Sequence, residues 1–474
     1  MRLFAEPRDY FNWVAEHDTR VRRVQGAFHA QLRQWHQRKI PEGSRVLEWG
    51  CGGGDLLRSV APAYGLGLDL SPAMIGKARA RNGEKEGLRF ECGDVLSPPD
   101  SEVFDYIICS YLIGYLSDIE KALRHLRLAA HPRTRLLITS LNNVWLWPLK
   151  WAQLLGIVTP QPESNWLSSA DLINLLELAG WEIIETGTEQ LMPFDIPLLT
   201  PFLNRFCVRL PGLRALGITV TLVARPRVAP VIDGTVSCSV VIPARNESGN
   251  IRAALDRVPT LGKRTEIIFV EGNSKDDTWA VIEKETASYQ GPHLVRALQQ
   301  PGRGKWDAVR AGLAVARGDV VCIQDADLTA PPEDLTKFFS AIAEGTTEFA
   351  NGCRLVYPME KQAMRILNFF GNKFFALALS YVLGQHLKDS LCGTKMLLRS
   401  DYLRVLQRIR SLGDFDPFGD FNLLFGAALL DLRIRDIPVR YKDRTYGETN
   451  ISRFRHGWLL LKMTMFGLIK IRWK

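Results

Sequence analysis

The chain lacks any apolar run long enough to cross a bilayer. No stretch of 18 residues is free of charge, and the longest apolar segments, 374–384 and 458–469, fall short of a spanning helix, which needs roughly 20 residues. Residues 1–10 mix acidic and basic side chains without an apolar centre, so no signal peptide is expected. The sequence therefore predicts a cytoplasmic protein that contacts a membrane only at its surface.

Cysteine is sparse and has no pattern. The eight cysteines lie far apart, without a C-x-x-C pair and without histidines at the spacing of a zinc site. Several fall within apolar, strand-like runs. We therefore expect small buried hydrophobic side chains in a reducing compartment, rather than disulfides or metal ligands.

Concentrated basic patches are also missing. The 60 Lys and Arg residues exceed the 51 Asp and Glu residues to give a net charge of +9, but they are scattered and do not cluster with aromatics. No DNA-binding motif is present, which argues against a nucleic-acid partner. The surplus charge favours phosphate-bearing ligands or an anionic membrane surface.

The length of 474 residues, with 46% hydrophobic and 23% charged residues, indicates a soluble protein of two or three domains. Residues 225–237 read RPRVAPVIDGTVS, which is typical of a linker. We expect domains over 1–227 and 237–474 joined by a linker at 228–236. Short Val/Ile/Leu strands alternate with longer amphipathic segments in both halves, so both are predicted to be α/β with parallel strands. The oligomeric state is left open.

In the first half, a short apolar strand ends at Glu48 and runs into a glycine-rich turn before a helix-like segment. Glycines there let the backbone approach a ligand closely. A second strand ends at Asp69, 21 residues after Glu48, where a carboxylate can accept the hydroxyls of a ribose. A third strand is closed by Asp94.

The third glycine of a dinucleotide-binding G-x-G-x-x-G turn would fall on Asp55, so an NAD site is not predicted. The pattern E-x-G-x-G-x-G instead resembles motif I of the class I S-adenosylmethionine-dependent methyltransferases, and the likeness covers about residues 10–227. It implies a Rossmann-like seven-stranded sheet with S-adenosylmethionine as cofactor. Its implied contacts are the methionine portion for Glu48, Gly50, Gly52 and Gly54, the ribose for Asp69, and the adenine edge for Asp94.

The methyltransferase half leaves two questions open. No side chain is assigned a catalytic role, because methyl transfer from a sulfonium depends mainly on alignment, and a non-catalytic S-adenosylmethionine-binding regulator is the alternative. The proline-rich apolar segment 192–217 is interpreted as a loop that covers the core, or as a lid that binds an acceptor or a membrane.

In the second half, acidic residues follow three predicted strands: Glu271, Asp325 and Asp327. The carboxyl ends of neighbouring parallel strands meet at one edge of a sheet, where ligands bind. Asp325 and Asp327 lie one residue apart and crowd like charge, which a divalent cation relieves. The sequence predicts a Mg²⁺ or Mn²⁺ site at Asp325 and Asp327, and we expect the carboxylates at 271, 325 and 327 to gather around it.

These motifs resemble the family 2 glycosyltransferases of the GT-A fold over about residues 237–450. The likeness rests on VVIPARNE, EGNSKDDT, the glycine-lysine segment PGRGKWDAV, DAD, the D-x-x-C-G-x-K segment from Asp389, and RTYGETN. It implies a GT-A nucleotide-sugar-binding sheet whose donor contacts are Pro243, Arg245, Glu247, Glu271, Lys305, Asp325 and Arg444. Glu271-Gly272-Asn273 departs from the family's usual pair of aspartates and glycine, so the nucleotide base is left open.

The segment ANGCRLVYPMEKQAMRILNFFGNKFF resembles dolichyl-phosphate mannose synthase and bacterial polyprenyl-phosphate sugar transferases. The resemblance implies a nucleotide-sugar donor and a lipid-phosphate acceptor, with Arg354 and Arg365 on the acceptor phosphate and inversion in one displacement. A phosphate acceptor needs no base. A hydroxyl acceptor on a surface polysaccharide is the alternative, and it would need Asp389 or Asp420 as the catalytic base.

The tail GWLLLKMTMFGLIKIRWK predicts a peripheral amphipathic helix at the cytoplasmic face of the membrane, with docking onto the first domain as the alternative. Basic residues predicted along one side of this helix are Arg455, just before the quoted tail, and Lys462, Lys470 and Lys474 within it. The whole sequence thus predicts a bifunctional enzyme that transfers a sugar to a membrane acceptor and methylates an unidentified acceptor of the same pathway.

Overall fold

A computed structural model describes residues 6–82, 87–94, 102–155, 162, 164–210, 212–228, 235–356, 366–410, 419–442, 446 and 453–473. The side chains of 18–25, 27, 366–370, 372, 420 and 453–456 are not described. The chain forms two compact units, Met1–Arg227 and Val228–Lys474. Most of the predicted linker, at 229–234, lies outside the described residues.

The first unit is built on a seven-stranded sheet. Its strands are β1 (Arg45–Trp49), β2 (Tyr64–Asp69), β3 (Leu88–Cys92), β4 (Phe104–Ser110), β5 (Ala130–Leu141), β6 (Trp181–Glu189) and β7 (Thr219–Pro226). They lie in the order β3-β2-β1-β4-β5-β7-β6. Neighbours from β3 to β5 pair in parallel, whereas β7 is antiparallel to both β5 and β6.

Helices cover this sheet. They are α1 (Pro7–Glu16), α2 (Asp18–Lys39), α3 (Asp55–Ser59), α4 (Pro72–Asn82), α5 (Ile119–Leu126), α6 (Leu146–Leu154), α7 (Ser169–Leu178) and α8 (Leu199–Arg205). Short 3-10 turns occur at Ile113–Tyr115, Arg127–Ala129, Asn143–Trp145, Cys207–Arg209 and Leu213–Leu216. Alternate strand residues enter two core clusters, such as Leu47 in one and Val46 in the other, as expected for strands buried on both faces.

Strand direction places the ligand edge of the first unit. Because β1, β2, β4 and β5 are parallel, their carboxyl ends all lie at the same edge of the sheet, called here the carboxyl edge. Because β7 runs the other way, its first residue, Thr219, pairs with Leu141 at the end of β5 and with Glu189 at the end of β6. The segment between β6 and β7 therefore leaves and re-enters the sheet at the same edge as the glycine turn after β1.

The second unit also contains a seven-stranded sheet. Its strands are β8 (Cys238–Ala244), β9 (Thr265–Glu271), β10 (Leu294–Gln299), β11 (Val320–Ile323), β12 (Phe349–Cys353), β13 (Lys395–Leu398) and β14 (Ile434–Pro438). Their order is β10-β9-β8-β11-β13-β12-β14. Only β13 is antiparallel to its neighbours, β11 and β12.

The helices of the second unit are α9 (Ile251–Arg257), α10 (Thr278–Ser288), α11 (Lys305–Val315), α12 (Leu335–Ala343), α13 (Ile366–Leu383), α14 (Arg399–Arg410), α15 (Asp420–Leu429) and α16 (Arg453–Gly467). Turns at Ser248–Asn250 and Pro332–Asp334 are 3-10, and Leu468–Arg472 continues α16 as a π-helix. The residues of β8 alternate between two cores, with Val241 in one and Val240 and Ile242 in the other.

The predicted fold class is confirmed, because both units are α/β with a seven-stranded sheet. Six of the eight cysteines are buried, as the apolar runs around them predict, but Cys92 is exposed and Cys207 is half-buried. Among the helices that the structure describes, none is both long enough and apolar enough to span a membrane.

Candidate functional site

The glycine turn after β1 contains three residues with positive φ: Gly50, Gly52 and Gly54. A Cβ added at Gly54 would lie 2.6 Å from Phe90 Cε1, so this glycine is required by packing. A Cβ at Gly52 would meet no atom within 4 Å. The turn therefore presents the backbone at Gly52 to open space, where a ligand can approach it.

Asp69, at the end of β2, orients this turn. Its Oδ2 accepts a hydrogen bond from Gly52 N at 2.8 Å, and its Oδ1 accepts one from Ser71 N at 2.9 Å. Burial raises the pKa of Asp69, and the two N–H donors oppose that shift. Each oxygen has a second lone pair, so the carboxylate can still accept the hydroxyls of a ribose.

Glu48 is buried in β1, with 2% of its surface exposed. Its Oε2 has no hydrogen-bond partner. Burial raises the pKa of Glu48 well above its usual value, the N–H of Leu57 opposes the shift, and the charges of Asp69 and Asp55 add to it. A buried, unsatisfied acid next to a glycine turn indicates a position that a ligand donor completes.

These residues fit S-adenosylmethionine. Gly52 offers open backbone, Glu48 an unsatisfied acceptor for a ligand donor, and Asp69 an oriented carboxylate. Asp94 is exposed just beyond β3, at the same edge. The assignment of Glu48, Asp69 and Asp94 to portions of the cofactor stays a prediction.

Sequence reasoning missed a polar chain at the same edge. Tyr111, which follows β4, contacts Thr219 through Oη and Oγ1 at 2.5 Å, and Thr219 Oγ1 donates to Gln190 Oε1 at 2.9 Å. Burial raises the pKa of Tyr111. Gln190 and Thr219 stand 29 positions apart in the chain, and no pattern in the sequence links them.

In the second unit, the loops after β8 and β9 are tied together. Gly272 N donates to Ala244 O at 2.8 Å, and Asn246 N donates to Ser274 Oγ at 3.0 Å. Glu271 is buried and its Oε1 accepts from Ser274 N, so this carboxylate closes its own loop. The two predicted donor loops thus form one surface at the carboxyl edge.

The expectation that Glu271 joins Asp325 and Asp327 around one ion is not met. Within the described part of the chain, no three His, Cys, Asp or Glu side chains are grouped closely enough to hold a metal. The reason is strand order, since β8 lies between β9 and β11 and separates their ends by about 10 Å. Glu271 lies at the same edge but outside the predicted metal site.

Asp325 forms an ion pair with a lysine and packs against a glycine. Lys305 Nζ, at the start of α11, lies 2.6 Å from Asp325 Oδ1. A Cβ at Gly393 would lie 2.1 Å from Asp325 Oδ2 and 2.5 Å from Lys305 Nζ, so a side chain at this position would displace the pair from its present geometry. Burial would raise the pKa of Asp325, but the charges of Lys305, Lys395 and Arg354 lower it below its usual value.

Asp327 is oriented by the turn that follows it. Its Oδ1 accepts from Thr329 N at 3.1 Å and from Thr329 Oγ1 at 2.8 Å. Mg²⁺ commonly binds one or two carboxylates and completes its shell with water and substrate phosphates. The half-buried carboxylates of Asp325 and Asp327 fit that donor set.

Asp389, which is fully buried, forms a bidentate ion pair with the half-buried Arg354. Arg354 Nε lies 2.7 Å from Asp389 Oδ2 and its Nη2 lies 2.8 Å from Oδ1, while the guanidinium covers the ring of Tyr441 at 5.2 Å. Burial would raise the pKa of Asp389, but Arg354 holds it well below its usual range. A carboxylate with such a low pKa is a poor general base, so Asp389 is better suited to positioning Arg354.

Three further residues that were not assigned from the sequence lie near this pair: Asn351, Lys395 and Asp436. Asn351 Nδ2 donates to Asp389 O at 2.8 Å and to Asp436 Oδ1 at 2.7 Å. Lys395, fully buried in β13, donates to Cys392 O. The D-x-x-C-G-x-K motif could have identified Lys395, whereas a single acid in β14 gives no signal for Asp436.

The remaining predicted residues are less informative. Pro243 is half-buried in β8, and Arg245 is exposed beside Gly272. Glu247 is buried and its Oε2 accepts from Asn250 Nδ2 at 2.6 Å, so it shapes the loop. Asp420 begins α15, but its side chain is not described. Arg365 and Arg444 lie outside the described residues.

We predict that Gly52→Val weakens S-adenosylmethionine binding by at least about tenfold, because the new side chain fills the open space beside the turn. The positive φ adds about 1–2 kcal/mol of strain. Isothermal titration calorimetry measures the affinity. Gly76→Val is the matched control, since Gly76 is also open, lies on α4 and has an ordinary φ. Equal affinity of both variants for S-adenosylmethionine would contradict the assignment of Gly52 to the cofactor site.

We predict that Asp389→Ala lowers the free energy of unfolding by about 3–5 kcal/mol, because Arg354, whose side chain is only 12% exposed, loses its counter-charge. Urea unfolding with hydrogen exchange over β12–β14 measures the effect. The joint substitution Arg354→Met and Asp389→Leu should restore most of the loss. Asp256→Ala, which breaks the exposed pair with Arg252, is the control and should leave unfolding unchanged.

The same pair sets a pH dependence. Because Asp389 has a depressed pKa when folded, its stabilisation is fully present above the unfolded carboxyl pKa of about 3.9 and is lost as the pH falls through the folded value. The stability difference between the parent and Asp389→Ala should therefore be constant from about pH 8 to about pH 5 and should shrink below about pH 4. A difference that falls between pH 7 and pH 5 would rule out this pairing.

Comparison with known proteins agrees with two different domains in the chain. A "Methyltransferase domain" model matches residues 19–186, and a "Glycosyl transferase family 2" model matches residues 239–406. An undecaprenyl-phosphate 4-deoxy-4-formamido-L-arabinose transferase of Klebsiella pneumoniae is 34% identical over 221 residues, which is 46% of this chain and 63% of that protein. A dolichol-phosphate mannosyltransferase of Saccharomyces cerevisiae is 34% identical over 113 residues, covering 23% and 42%.

The chain thus spans less than two thirds of the length of these relatives. Among solved structures, magnesium protoporphyrin IX methyltransferase of Synechocystis matches with a TM-score of 0.34 and 19% identity, covering 46% of this chain and 97% of that one. A Mesorhizobium loti S-adenosylmethionine-dependent methyltransferase gives 0.32 and 19%, covering 41% and 97%. From the family models, the chain carries a methyltransferase domain in its first unit and a family 2 glycosyl transferase domain in its second.

Proposed function

We propose that the second unit transfers a sugar from a nucleotide-sugar donor to a polyprenyl phosphate, and that the first unit methylates an acceptor of the same pathway. The observation that carries the proposal is the charge-balanced group at the edge of the second sheet. There Lys305 contacts Asp325, and Arg354 is paired with Asp389. The relatives of this domain are named as polyprenyl-phosphate or dolichol-phosphate sugar transferases.

The donor would lie along the loops after β8, β9 and β11. A Mg²⁺ or Mn²⁺ ion at Asp325 and Asp327 would supply positive charge for the leaving diphosphate. Thr329 orients Asp327, and Lys305 holds Asp325 in place against Gly393. Both carboxylates are thus oriented before any ligand arrives, which is what electrostatic stabilisation of a leaving group requires.

The Arg354–Asp389 pair suits a phosphate acceptor and argues against Asp389 as the base for a hydroxyl acceptor, which leaves Asp420, whose side chain is not described, as the other candidate base. A hydroxyl nucleophile needs a base, and Asp389 is too acidic and too fully engaged with Arg354 to serve as one. A phosphate monoester has a second pKa of about 6 and is mostly dianionic at neutral pH. It needs only a positioned cation, and Asp389 holds the Arg354 guanidinium in a fixed orientation. Attack on the anomeric carbon would invert its configuration.

A peripheral membrane contact accords with a lipid acceptor. One face of α16 enters the core of the second unit through Leu460 and Met463. Its other face exposes Trp458, Leu461 and Met465, with Lys462 over the Trp458 ring at 5.7 Å. An apolar face edged by lysine is typical of a helix at a membrane interface, and here it would be the cytoplasmic face.

Sugar transfer is tested by incubating the full chain with Mn²⁺, labelled nucleotide sugars and either a polyprenyl phosphate or the matching polyprenol. Lipid-linked product is expected only with the phosphate. Asp327→Asn should lower its rate at least about a hundredfold, since the ion supplies several kcal/mol of charge stabilisation. Glu344→Gln, at an exposed acid on the same unit, is the control.

Two results would count against this proposal. Equal product on the polyprenol would favour the hydroxyl-acceptor alternative, and an unchanged rate in Asp327→Asn would remove the ion from the mechanism. Transfer of labelled methyl from S-adenosylmethionine to the lipid product separates an active methyltransferase from a regulatory domain.

A further inference from the structure

Two segments of the first unit expose large apolar side chains to an unusual degree. Residues 144–155 and 194–216 hold as many exposed large apolar side chains as all the other described residues together. Leu198 is 89% exposed, Leu154 is 73% exposed and Trp147 is 67% exposed. We call this set the apolar surface of the first unit. Its members are Val144, Trp147, Trp151, Leu154, Leu155, Phe194, Ile196, Leu198, Leu199, Phe202, Phe206, Leu210, Leu213 and Leu216.

The two segments are joined by hydrogen bonds. Asn142 Nδ2 donates to Ala215 O at 3.0 Å and to Gly217 O at 2.8 Å. Trp145 Nε1 donates to Leu216 O at 2.9 Å. These bonds fix the residues that lead into α6 against the end of the second segment. The start of the second segment is fixed by Asn204, whose Oδ1 accepts a hydrogen bond from Met192 N at 2.8 Å. These contacts hold the protruding side chains on an ordered scaffold.

The apolar surface lies at the ligand edge of the sheet. The first segment follows β5 directly, and the second connects β6 to β7. Leu141 and Glu189 both pair with Thr219, so both segments leave the sheet at its carboxyl edge. Gly52 and Asp69 lie at the same edge because they follow or end parallel strands. The apolar surface therefore borders the side from which the methyl donor site is reached.

Its chemistry suits an anionic lipid bilayer. Lys150 Nζ lies 5.4 Å from the centre of the Trp147 ring, and the Arg205 guanidinium lies 5.8 Å from that of Phe206. Tryptophan is enriched at membrane interfaces, and neighbouring cations are attracted to anionic headgroups. Leucines that protrude as far as Leu198 can insert among acyl chains, whereas a flat protein partner would leave them poorly packed.

We propose that the apolar surface of the first unit docks on an anionic lipid bilayer and presents the methyl donor site to an acceptor anchored in that bilayer. The docking is independent of the sugar-transfer proposal. The inference that the methyl acceptor is linked to a lipid depends on the methyl transfer proposed above. Apolar segments of this size on a soluble unit mark an interaction surface rather than ordinary exposure.

The test is co-sedimentation of the full chain with vesicles of equimolar phosphatidylcholine and phosphatidylglycerol. The parent for the test carries Trp458→Ser, Leu461→Ser and Met465→Ser, so that the exposed face of α16 no longer contributes. To this parent are added Trp147→Ser, Trp151→Ser, Leu198→Ser and Phe202→Ser. We expect the partition coefficient to fall at least about tenfold, because several inserted apolar side chains are lost.

The matched control is Leu128→Ser with Leu178→Ser in the same parent. These leucines are 69% and 56% exposed on the first unit and lie outside the apolar surface. The control should bind vesicles as the parent does. Calorimetry with S-adenosylmethionine should give the parent's affinity for both variants, which excludes misfolding. Vesicles of phosphatidylcholine alone should bind the parent more weakly.

Two outcomes overturn the docking proposal. In one, the quadruple variant sediments with the anionic vesicles as strongly as the control. In the other, the parent fails to bind vesicles, and sedimentation velocity shows that the parent self-associates whereas the quadruple variant does not. That result would mean that a second copy of the chain covers the surface. Because no sugar donor is present, either result leaves the sugar-transfer assay unaffected, and failure of that assay leaves this result unaffected.

Discussion

The contact between Asp325 and Lys305 is the interaction on which the second site depends. A carboxylate at the end of a buried strand repels its neighbour at Asp327 and is disfavoured by desolvation. Lys305 compensates Asp325 at 2.6 Å, and the glycine at position 393 leaves room for the pair in this geometry. This one ion pair thus brings together the end of β11, the start of α11 and residues 389–395. The loops proposed to bind the donor lie at the same edge of the sheet as Arg354, which is proposed to bind the acceptor phosphate.

The first site compensates its carboxylates in a different way. Glu48 is nearly as buried as Asp389, but burial raises the pKa of Glu48, whereas Arg354 lowers that of Asp389. Asp69 relies on two backbone N–H groups. The first unit therefore leaves Glu48 Oε2 without a hydrogen-bond partner. The second unit supplies its own cations, and in our proposal phosphate oxygens and a divalent ion complete its site.

Much of this arrangement could be predicted from the sequence because it is local. An apolar strand followed by glycine or an acid places Gly52, Asp69 and Asp325 at the ends of strands, and parallel strands bring those ends to one edge. The inclusion of Glu271 in the ion site was wrong because strand order is not visible in the sequence. The Arg354–Asp389 pair also depends on tertiary structure: β13 inserts antiparallel between β11 and β12, and this brings together residues 35 positions apart.

Both units also expose tryptophan and leucine beside basic residues, which is consistent with the membrane contacts proposed for each. The central claim, however, is the ion site of the second unit. The most direct measurement is anomalous X-ray scattering from crystals grown with Mn²⁺ and a nucleoside diphosphate. A manganese peak bound by Asp325 and Asp327 and by the diphosphate is predicted. A diphosphate bound at this edge with no manganese on either aspartate would contradict the account.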